Sequence, residues 1–201
     1  MDTRILKPTQ DGIQLACEII SAGDVVAIPT ETVYGLFADA TKADACANIF
    51  KAKDRPQDNP LIVHIADFSD IYRVGKNIPP QAKLLADAFW PGPLTIIVEK
   101  SDEVPEATTR GMNTVAVRMP NHPVALSLIR NSGCLIAAPS ANTSGRPSPS
   151  EAAHVAEDLS GKIPMIIDGG SVSIGIESTI IDLTEQVPMV LRPGYITPEM
   201  L

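Results

Sequence analysis

The sequence predicts an α/β fold in a single domain. Short apolar runs rich in β-branched residues, typical of buried strands, alternate with amphipathic helical stretches as far as about residue 160. In the last third, three strand-like runs follow one another without a long helix, which suggests antiparallel or mixed pairing. With 201 residues, of which 44% are hydrophobic, the chain is long enough for one well-buried core. We therefore expect one domain over residues 1–201.

The helices are predicted from apolar residues at helical spacing. Ile13, Ala16, Cys17 and Ile20 recur at i, i+3, i+4 and i+7, so a first helix is expected over residues 11–22 with Gly23 as its cap. The same spacing predicts a second helix near residues 43–53. Further helices are expected near residues 67–75, 80–89, 124–130 and 148–159, the last three with prolines at or beside their starts.

Two of these helices are predicted to begin with a capping box. In this motif a hydroxyl and an acidic side chain three residues later bond the free backbone N–H groups of the first turn. Thr41 with Asp44 and Ser148 with Glu151 have this spacing, and Pro149 would stand at the first helical position, where proline is tolerated.

Strands are predicted at eight apolar runs, and polar turns follow four of them. The runs lie at residues 25–28, 61–65, 95–98, 115–118, 135–138, 165–167, 179–183 and 187–191. The polar turns are residues 30–35, Arg118 with its neighbours, residues 140–148 and residues 192–194. Because α/β folds keep their sites in turns that follow buried strands, we expect the binding residues here.

A cluster of cations precedes the second strand. Lys51, Lys53 and Arg55 fall within five residues of a chain whose net charge is −8, and Pro56 and Pro60 stiffen the loop that follows. This pattern predicts a local anion site for a phosphate-bearing ligand. Alternatively, the lysines only oppose the dipole of the preceding helix and are solvated. Arg118 is flanked by apolar residues, and a partly buried arginine needs an anionic partner.

Composition and missing motifs exclude several classes of protein. The acidic balance, with a pI near 4.8, argues against a broad nucleic-acid or anionic-membrane surface, so any phosphate ligand should be small and enclosed. No P-loop, Gly-x-Gly-x-x-Gly, His-Glu-x-x-His or Gly-x-Ser-x-Gly motif occurs in the sequence. His64, His122 and His154 lack metal-ligand spacing. A zinc enzyme or a serine hydrolase is therefore not expected.

The sequence also predicts a cytoplasmic protein. Cys17, Cys46 and Cys134 are odd in number and lie in apolar contexts, which favours reduced thiols. Residues 1–10 lack the apolar core of a signal peptide, and no run reaches the roughly 18 apolar residues of a membrane span.

Motifs along nearly the whole chain resemble the YrdC-like family. They are Pro29-Thr30-Glu31-Thr32-Val33-Tyr34-Gly35-Leu36, Lys53-x-Arg55-Pro56 with Asn59-Pro60 and His64, Trp90-Pro91-Gly92-Pro93-Leu94-Thr95, Pro139-Ser140-Ala141-Asn142 with Ser144-Gly145, Glu177-Ser178-Thr179 and Leu191-Arg192-Pro193-Gly194. The resemblance implies a twisted mixed parallel and antiparallel sheet with flanking helices around a large concave cavity.

The resemblance also implies an activity. Such a protein would join L-threonine, bicarbonate and ATP into L-threonylcarbamoyl-adenylate and release pyrophosphate, with Mg²⁺ accompanying the ATP and no metal ligand from protein side chains. A downstream transfer-RNA threonylcarbamoyltransferase would then modify an adenosine beside the anticodon. Direct tight nucleic-acid binding and membrane binding are not expected. An RNA-binding module and a carbamoyl-transferring maturation domain stay open as alternatives, although relatives of the latter carry zinc-finger cysteines that this chain lacks.

Site residues carried over by motif fall into three sets. The ATP contacts would be Arg55, Asn59, Thr114, Ser140, Ser148 and Arg192. The threonine contacts would be Thr32, His64, Arg118, Ala138 and Ser178. A catalytic tetrad would comprise Lys53, Arg55, Ser140 and Asn142.

Two departures from the family pattern stand out. Phe37 occupies a position where the family often has glycine, which bears on the backbone after Gly35. Longer members continue through a linker into a second domain, whereas this chain stops at Leu201, so a single-domain member and a piece of a longer chain both stay open.

Overall fold

The computed structural model describes residues 2–54 and 59–201. Its helices are Gln10–Ser21 (α1), Ala43–Ala52 (α2), Ile71–Val74 (α3), Pro80–Phe89 (α4), Glu106–Thr109 (α5), Pro123–Ser132 (α6) and Ala152–Leu159 (α7). Its strands are Arg4–Leu6 (β1), Val26–Pro29 (β2), Tyr34–Asp39 (β3), Ile62–His64 (β4), Gly75–Lys76 (β5), Leu94–Lys100 (β6), Thr114–Arg118 (β7), Ile136–Ala137 (β8), Met165–Ile167 (β9), Thr179–Asp182 (β10) and Met189–Arg192 (β11).

The strands form one mixed sheet. Its order is β1-β9-β2-β3-β8-β4-β7-β6-β10-β11, and β5 pairs with the end of β6. The pairs β1/β9, β9/β2, β4/β7 and β6/β10 are parallel, and the remaining pairs are antiparallel. The predicted α/β fold with a mixed sheet is confirmed.

The two faces of this sheet are covered unequally. One face packs against α2, α3, α4 and α7 and forms the larger apolar core. On the other face, α1 and α6 cover only β2, β3, β8 and β9. The floor formed by β4, β7, β6 and β10 stays open on that side, and a cavity lies over it.

Both predicted capping boxes are wrong. The Thr41 hydroxyl donates to Asp39 Oδ1 at 2.7 Å, and α2 begins at Ala43 with no side-chain cap. The Ser148 hydroxyl donates to Glu177 instead of capping a helix, and α7 begins only at Ala152. In each case another carboxylate takes the hydroxyl, a neighbour two residues earlier for Thr41 and a distant residue for Ser148, so the capping motif does not form.

Two other elements differ from the sequence prediction. β3 runs from Tyr34 to Asp39, whereas only a polar turn was predicted near its start. Its first residue is held from outside the sheet, because Tyr34 N donates to Pro149 O at 2.9 Å. The helix predicted over residues 67–75 is a 3₁₀ turn at Phe68–Asp70 followed by the short α3. The helix predicted over residues 80–89 is confirmed as α4.

Candidate functional site

A cavity of about 420 Å³ lies over the open half of the sheet. Because side chains alternate between the faces of a strand, one or two residues of each floor strand point into it: Ile62 and His64 of β4, Ala116 and Arg118 of β7, Ile97 of β6 and Ile180 of β10. Eight of the predicted site residues line it together: Thr32, Asn59, His64, Arg118, Ala138, Ser140, Ser178 and Arg192. The polar turns predicted to carry the site therefore converge on one cavity.

Arg118 lies at the end of β7 and is 5% exposed. Its Nη2 donates to Glu31 Oε1 at 2.6 Å, and its Nε donates to Gly92 O at 3.3 Å. The anionic partner that its apolar flanks predicted is thus Glu31. Nη1 has no partner within residues 2–54 and 59–201, so a guanidinium edge that lines the cavity is left for a ligand.

His64 lies beside Arg118 in the neighbouring strand, paired with it in register. Burial, together with the positive charge of Arg118, lowers the pKa of His64 to about 3, so the imidazole is neutral at physiological pH. Its Nδ1 lies 3.2 Å from Ile62 O, which can only accept, so Nδ1 carries the hydrogen and Nε2 is an acceptor. The Phe37 ring packs against the imidazole with centroids 5.6 Å apart.

The loop at residues 30–33 is held by its own hydroxyls and by a second loop. Thr30 Oγ1 donates to Val33 O at 2.6 Å and lies 3.0 Å from Thr32 Oγ1. From the other side, Ile174 N donates to Glu31 O and Gly175 N donates to Thr32 O, both at 2.9 Å. These bonds fix Thr32 at the cavity wall and Glu31 behind Arg118.

Ser178 and Arg192 meet on the opposite wall. Arg192 donates from Nη2 and Nε to Ser178 O at 2.8 and 3.1 Å, and from Nη2 to Ser178 Oγ at 3.2 Å. Gly194 lets the chain approach this point, since a Cβ there would lie 2.4 Å from Glu177 O. The Ser148 hydroxyl holds the pKa of Glu177, which also lines the cavity, below its usual value.

Two members of the predicted tetrad organise a loop and do not line the cavity. Lys53 Nζ donates to the carbonyl oxygens of Ser140 and Asn142, and its side chain is buried. The Asn142 amide donates to Thr143 O at 3.0 Å and to Arg146 O at 2.8 Å. Both side chains therefore hold the segment that carries Ser140.

Lys51 and Lys53, the two described members of the predicted cation cluster, lie in different environments. Lys51 is exposed and borders a separate hollow, because residues two apart on a helix point in different directions. Lys53 is buried. Arg55 lies outside the described residues, so its predicted contact stays a prediction.

Thr114 and Ser148 lie near the cavity and do not line it. Thr114 shares a face of β7 with Arg118 and borders a neighbouring hollow with Lys76 and Glu99. Among the described residues, Glu177 links the Ser148 hydroxyl to the cavity wall. Their predicted ATP contacts stay predictions.

Glu31 and Glu177 are site residues that were not predicted from the sequence. Both stand in the recognised motifs, and both carry a contact that shapes the cavity. The requirement for an anion beside Arg118 was a signal for Glu31, because it is the acidic residue of the polar turn at residues 30–35. Nothing local in the sequence marks the Ser148–Glu177 bond, which joins residues 29 positions apart.

Across residues 2–54 and 59–201, no group of three or more His, Cys, Asp or Glu side chains is arranged to hold a metal ion. In the same part of the chain, no helix is both long and apolar enough to cross a membrane.

Comparison with known proteins agrees with this geometry. A family model of Sua5, YciO and YrdC proteins, described as "Telomere recombination", matches residues 18–194. A threonylcarbamoyl-AMP synthase of Pyrococcus abyssi is 58% identical over 182 residues, which is 90% of this chain and 54% of that protein. One of Bacillus subtilis is 53% identical over 190 residues, 94% of this chain and 55% of that protein. The chain thus spans about half the length of these relatives.

A solved structure is similar over almost the whole chain. The crystal structure of P. abyssi Sua5 complexed with L-threonine superposes with a TM-score of 0.96 at 54% identity, covering 98% of this chain and 59% of that one. The family model and the fold agree, and the chain belongs to the Sua5/YciO/YrdC family.

Proposed function

We propose that this chain carries the catalytic domain of a threonylcarbamoyl-AMP synthase. It would form L-threonylcarbamoyl-AMP and pyrophosphate from L-threonine, bicarbonate or carbon dioxide, and ATP. The observation that carries the proposal is that two arginines from different strands, Arg118 and Arg192, line one cavity together with a neutral imidazole. One guanidinium suits an amino-acid carboxylate and the other suits phosphate oxygens. The names of the P. abyssi and B. subtilis relatives support this activity.

The inner end of the cavity suits L-threonine. Arg118 keeps Nη1 available for a carboxylate, while Glu31 fixes its guanidinium from behind. His64 Nε2 would accept a hydrogen from the amino or hydroxyl group of the substrate, and Thr32 and Ser178 offer hydroxyls on either side. Ala138 forms part of the wall. The L-threonine complex of P. abyssi Sua5, a protein of nearly the same fold, supports this choice of ligand.

The outer part of the cavity suits a nucleotide. Asn59, Ser140 and Arg192 line it, and Thr114 and Ser148 lie beside the segments around it. Arg55 would be a further ATP contact. Lys53 and Asn142 would act by holding the Ser140 loop. Mg²⁺ would arrive on the ATP phosphates and offset their charge, because this ion usually keeps waters and substrate oxygens as ligands.

In the proposed reaction the threonine amine adds to carbon dioxide with loss of a proton, or to bicarbonate with loss of water, to give a carbamate. A carbamate oxygen then attacks the α-phosphorus of ATP, and pyrophosphate leaves. The chemistry needs no enzyme nucleophile, so the protein contributes alignment and charge stabilisation. A transferase acting on transfer RNA would consume the product, and the net charge of −8 argues against direct tight binding of the nucleic acid. All three cysteines are free, which suits the cytoplasm.

The test is incubation with L-threonine, bicarbonate and Mg-ATP, followed by mass spectrometry for threonylcarbamoyl-AMP and by measurement of pyrophosphate. We expect pyrophosphate release to require both L-threonine and bicarbonate. Equal release without threonine would contradict the proposal. Release that needs threonine but not bicarbonate would indicate an aminoacyl-adenylate instead.

A further inference from the structure

A buried hydroxyl pair lies behind the wall of the cavity. Thr95 Oγ1 and Ser178 Oγ are 2.7 Å apart, and the two residues are 0% and 1% exposed. Thr95 lies on β6 and does not line the cavity, whereas Ser178 does. Thr95 therefore cannot touch a ligand directly.

The hydrogens of this pair can be assigned from their neighbours. Ser178 Oγ accepts from Arg192 Nη2 at 3.2 Å, and a guanidinium can only donate. Within the described part of the chain, Thr95 Oγ1 has no hydrogen-bond partner other than Ser178. If Ser178 donated to Thr95, the Thr95 hydrogen would be buried without an acceptor, which is costly. Thr95 must therefore be the donor.

This assignment decides what Ser178 can offer. A hydroxyl oxygen has two acceptor positions and one hydrogen. Thr95 and Arg192 fill both acceptor positions, so Ser178 can only donate, and its hydrogen is left for the cavity. Such a hydroxyl recognises an oxygen acceptor, such as a carboxylate or a carbamate, and rejects an ammonium group.

We propose that Thr95 is a positioning residue that turns Ser178 into an obligatory hydrogen-bond donor towards the carboxylate oxygens of the amino-acid substrate. The inference rests on the proposed function, because it takes L-threonine as the ligand of the inner cavity. The main-chain carbonyl of Ser178 holds Arg192 independently of the hydroxyl. Loss of Thr95 should therefore affect the amino acid and not the nucleotide.

The test compares Thr95→Val with Thr95→Ser. Valine keeps the shape and removes the donor, so the dissociation constant for L-threonine, measured by calorimetry without ATP or bicarbonate, should rise about threefold to tenfold. The KM for L-threonine should rise likewise, while the KM for ATP stays within threefold. Thr95→Ser restores the donor and should bind L-threonine like the wild type. If Thr95→Val does not fold, Thr95→Ala removes the same donor.

A matched control and a mutant cycle complete the experiment. Thr109 is equally buried, and its hydroxyl has no partner within the described residues, so Thr109→Val should leave the dissociation constant unchanged. Because Thr95 acts through Ser178, Thr95→Val should change binding less than threefold when Ser178 is already alanine. An equal loss in both backgrounds would overturn the inference.

The outcomes also separate this inference from the proposed function. A wild-type protein that neither binds L-threonine nor forms the adenylate would overturn the proposed function. A wild type that does both, with a Thr95→Val variant whose affinity for L-threonine falls less than threefold, would leave that function intact and overturn the role of Thr95.

Discussion

At the scale of single residues, the unusual feature of the cavity is an imidazole that stays neutral. His64 is 3% exposed, lies between Arg118 and Phe37, and has an Nε2 that can accept a hydrogen bond. Phe37, which departs from the glycine common in the resembled family, is fully buried beneath it. A Cβ at Gly35 would lie 2.7 Å from the Phe37 ring, so Gly35 and Phe37 fit together. The departure is thus accommodated by local packing.

The neutrality of His64 predicts a pH dependence of stability. Its pKa is about 3 in the folded protein and about 6.5 in an unfolded chain. Between these values the unfolded state binds a proton that the folded state does not, so stability falls as pH drops from about 6.5 towards 3. We expect His64→Gln to reduce the slope of unfolding free energy against pH in this window, as measured by urea denaturation.

Part of the slope should survive in that variant, because burial also lowers the pKa of His122. The matched control is His154→Gln, since His154 is exposed on α7 and should leave the slope as in the wild type. Parallel pH profiles of the wild type and His64→Gln would show that His64 is protonated in the folded state.

At the scale of elements, the end of α2 organises the loop that follows β8. Lys53, the C-cap of α2, donates to two carbonyls of residues 140–142, and its own carbonyl accepts from Ser144 N at 2.9 Å. Asn142 closes the same loop through Arg146 O. A buried ammonium with several carbonyl acceptors is thus a structural tie between two elements far apart in the sequence.

This tie predicts that Lys53→Met loosens the loop before any ligand binds. Methionine fills a similar volume and cannot donate, so the carbonyls of Ser140 and Asn142 lose their partner. Backbone amides of residues 141–146 should exchange with deuterium faster in the ligand-free variant, as read by mass spectrometry. The affinity for ATP should fall as a consequence.

Lys51→Met is the control for this experiment, because Lys51 is exposed on the same helix and borders a hollow that none of the residues 140–146 line. If loop exchange in ligand-free Lys53→Met matches the wild type while ATP binding is lost, Lys53 acts on phosphate directly and the structural tie is not its role.

The helices whose ends follow from their own sequence could be predicted, whereas contacts that depend on competing or distant hydrogen-bond partners could not. α1 follows from apolar spacing and α4 from the proline at its start, and both lie within one residue of the expected bounds at each end. The boxes at Thr41 and Ser148 failed because Asp39 and Glu177 compete for the hydroxyls. The direction in which the Lys53 side chain points could not be predicted from neighbouring residues either, since its acceptors lie 87 and 89 positions away.

At the scale of the whole molecule, the site exists because half of one sheet face lacks helices. The sequence predicted which turns carry polar residues, and strand order then brings them together, since β4, β7, β6 and β10 are neighbours. The strand order could not be predicted from the sequence, because β10 pairs with β6, which lies more than 70 residues earlier in the chain. An open cavity of this kind also means that ligands stabilise the fold by binding only its folded state.

Ligand-linked stability therefore tests the division of the cavity between its two substrates. In Arg118→Lys a point charge still pairs with Glu31, but the two-pronged contact to a carboxylate is lost. We expect L-threonine alone to raise the melting temperature less than in the wild type, because each tenfold loss of affinity removes about 1.4 kcal/mol of stabilisation. The rise caused by Mg-ATP alone should persist. Arg130→Lys, at an exposed position of α6, should change neither. If Arg118→Lys abolishes the ATP effect and spares that of threonine, the proposed roles of Arg118 and Arg192 are reversed.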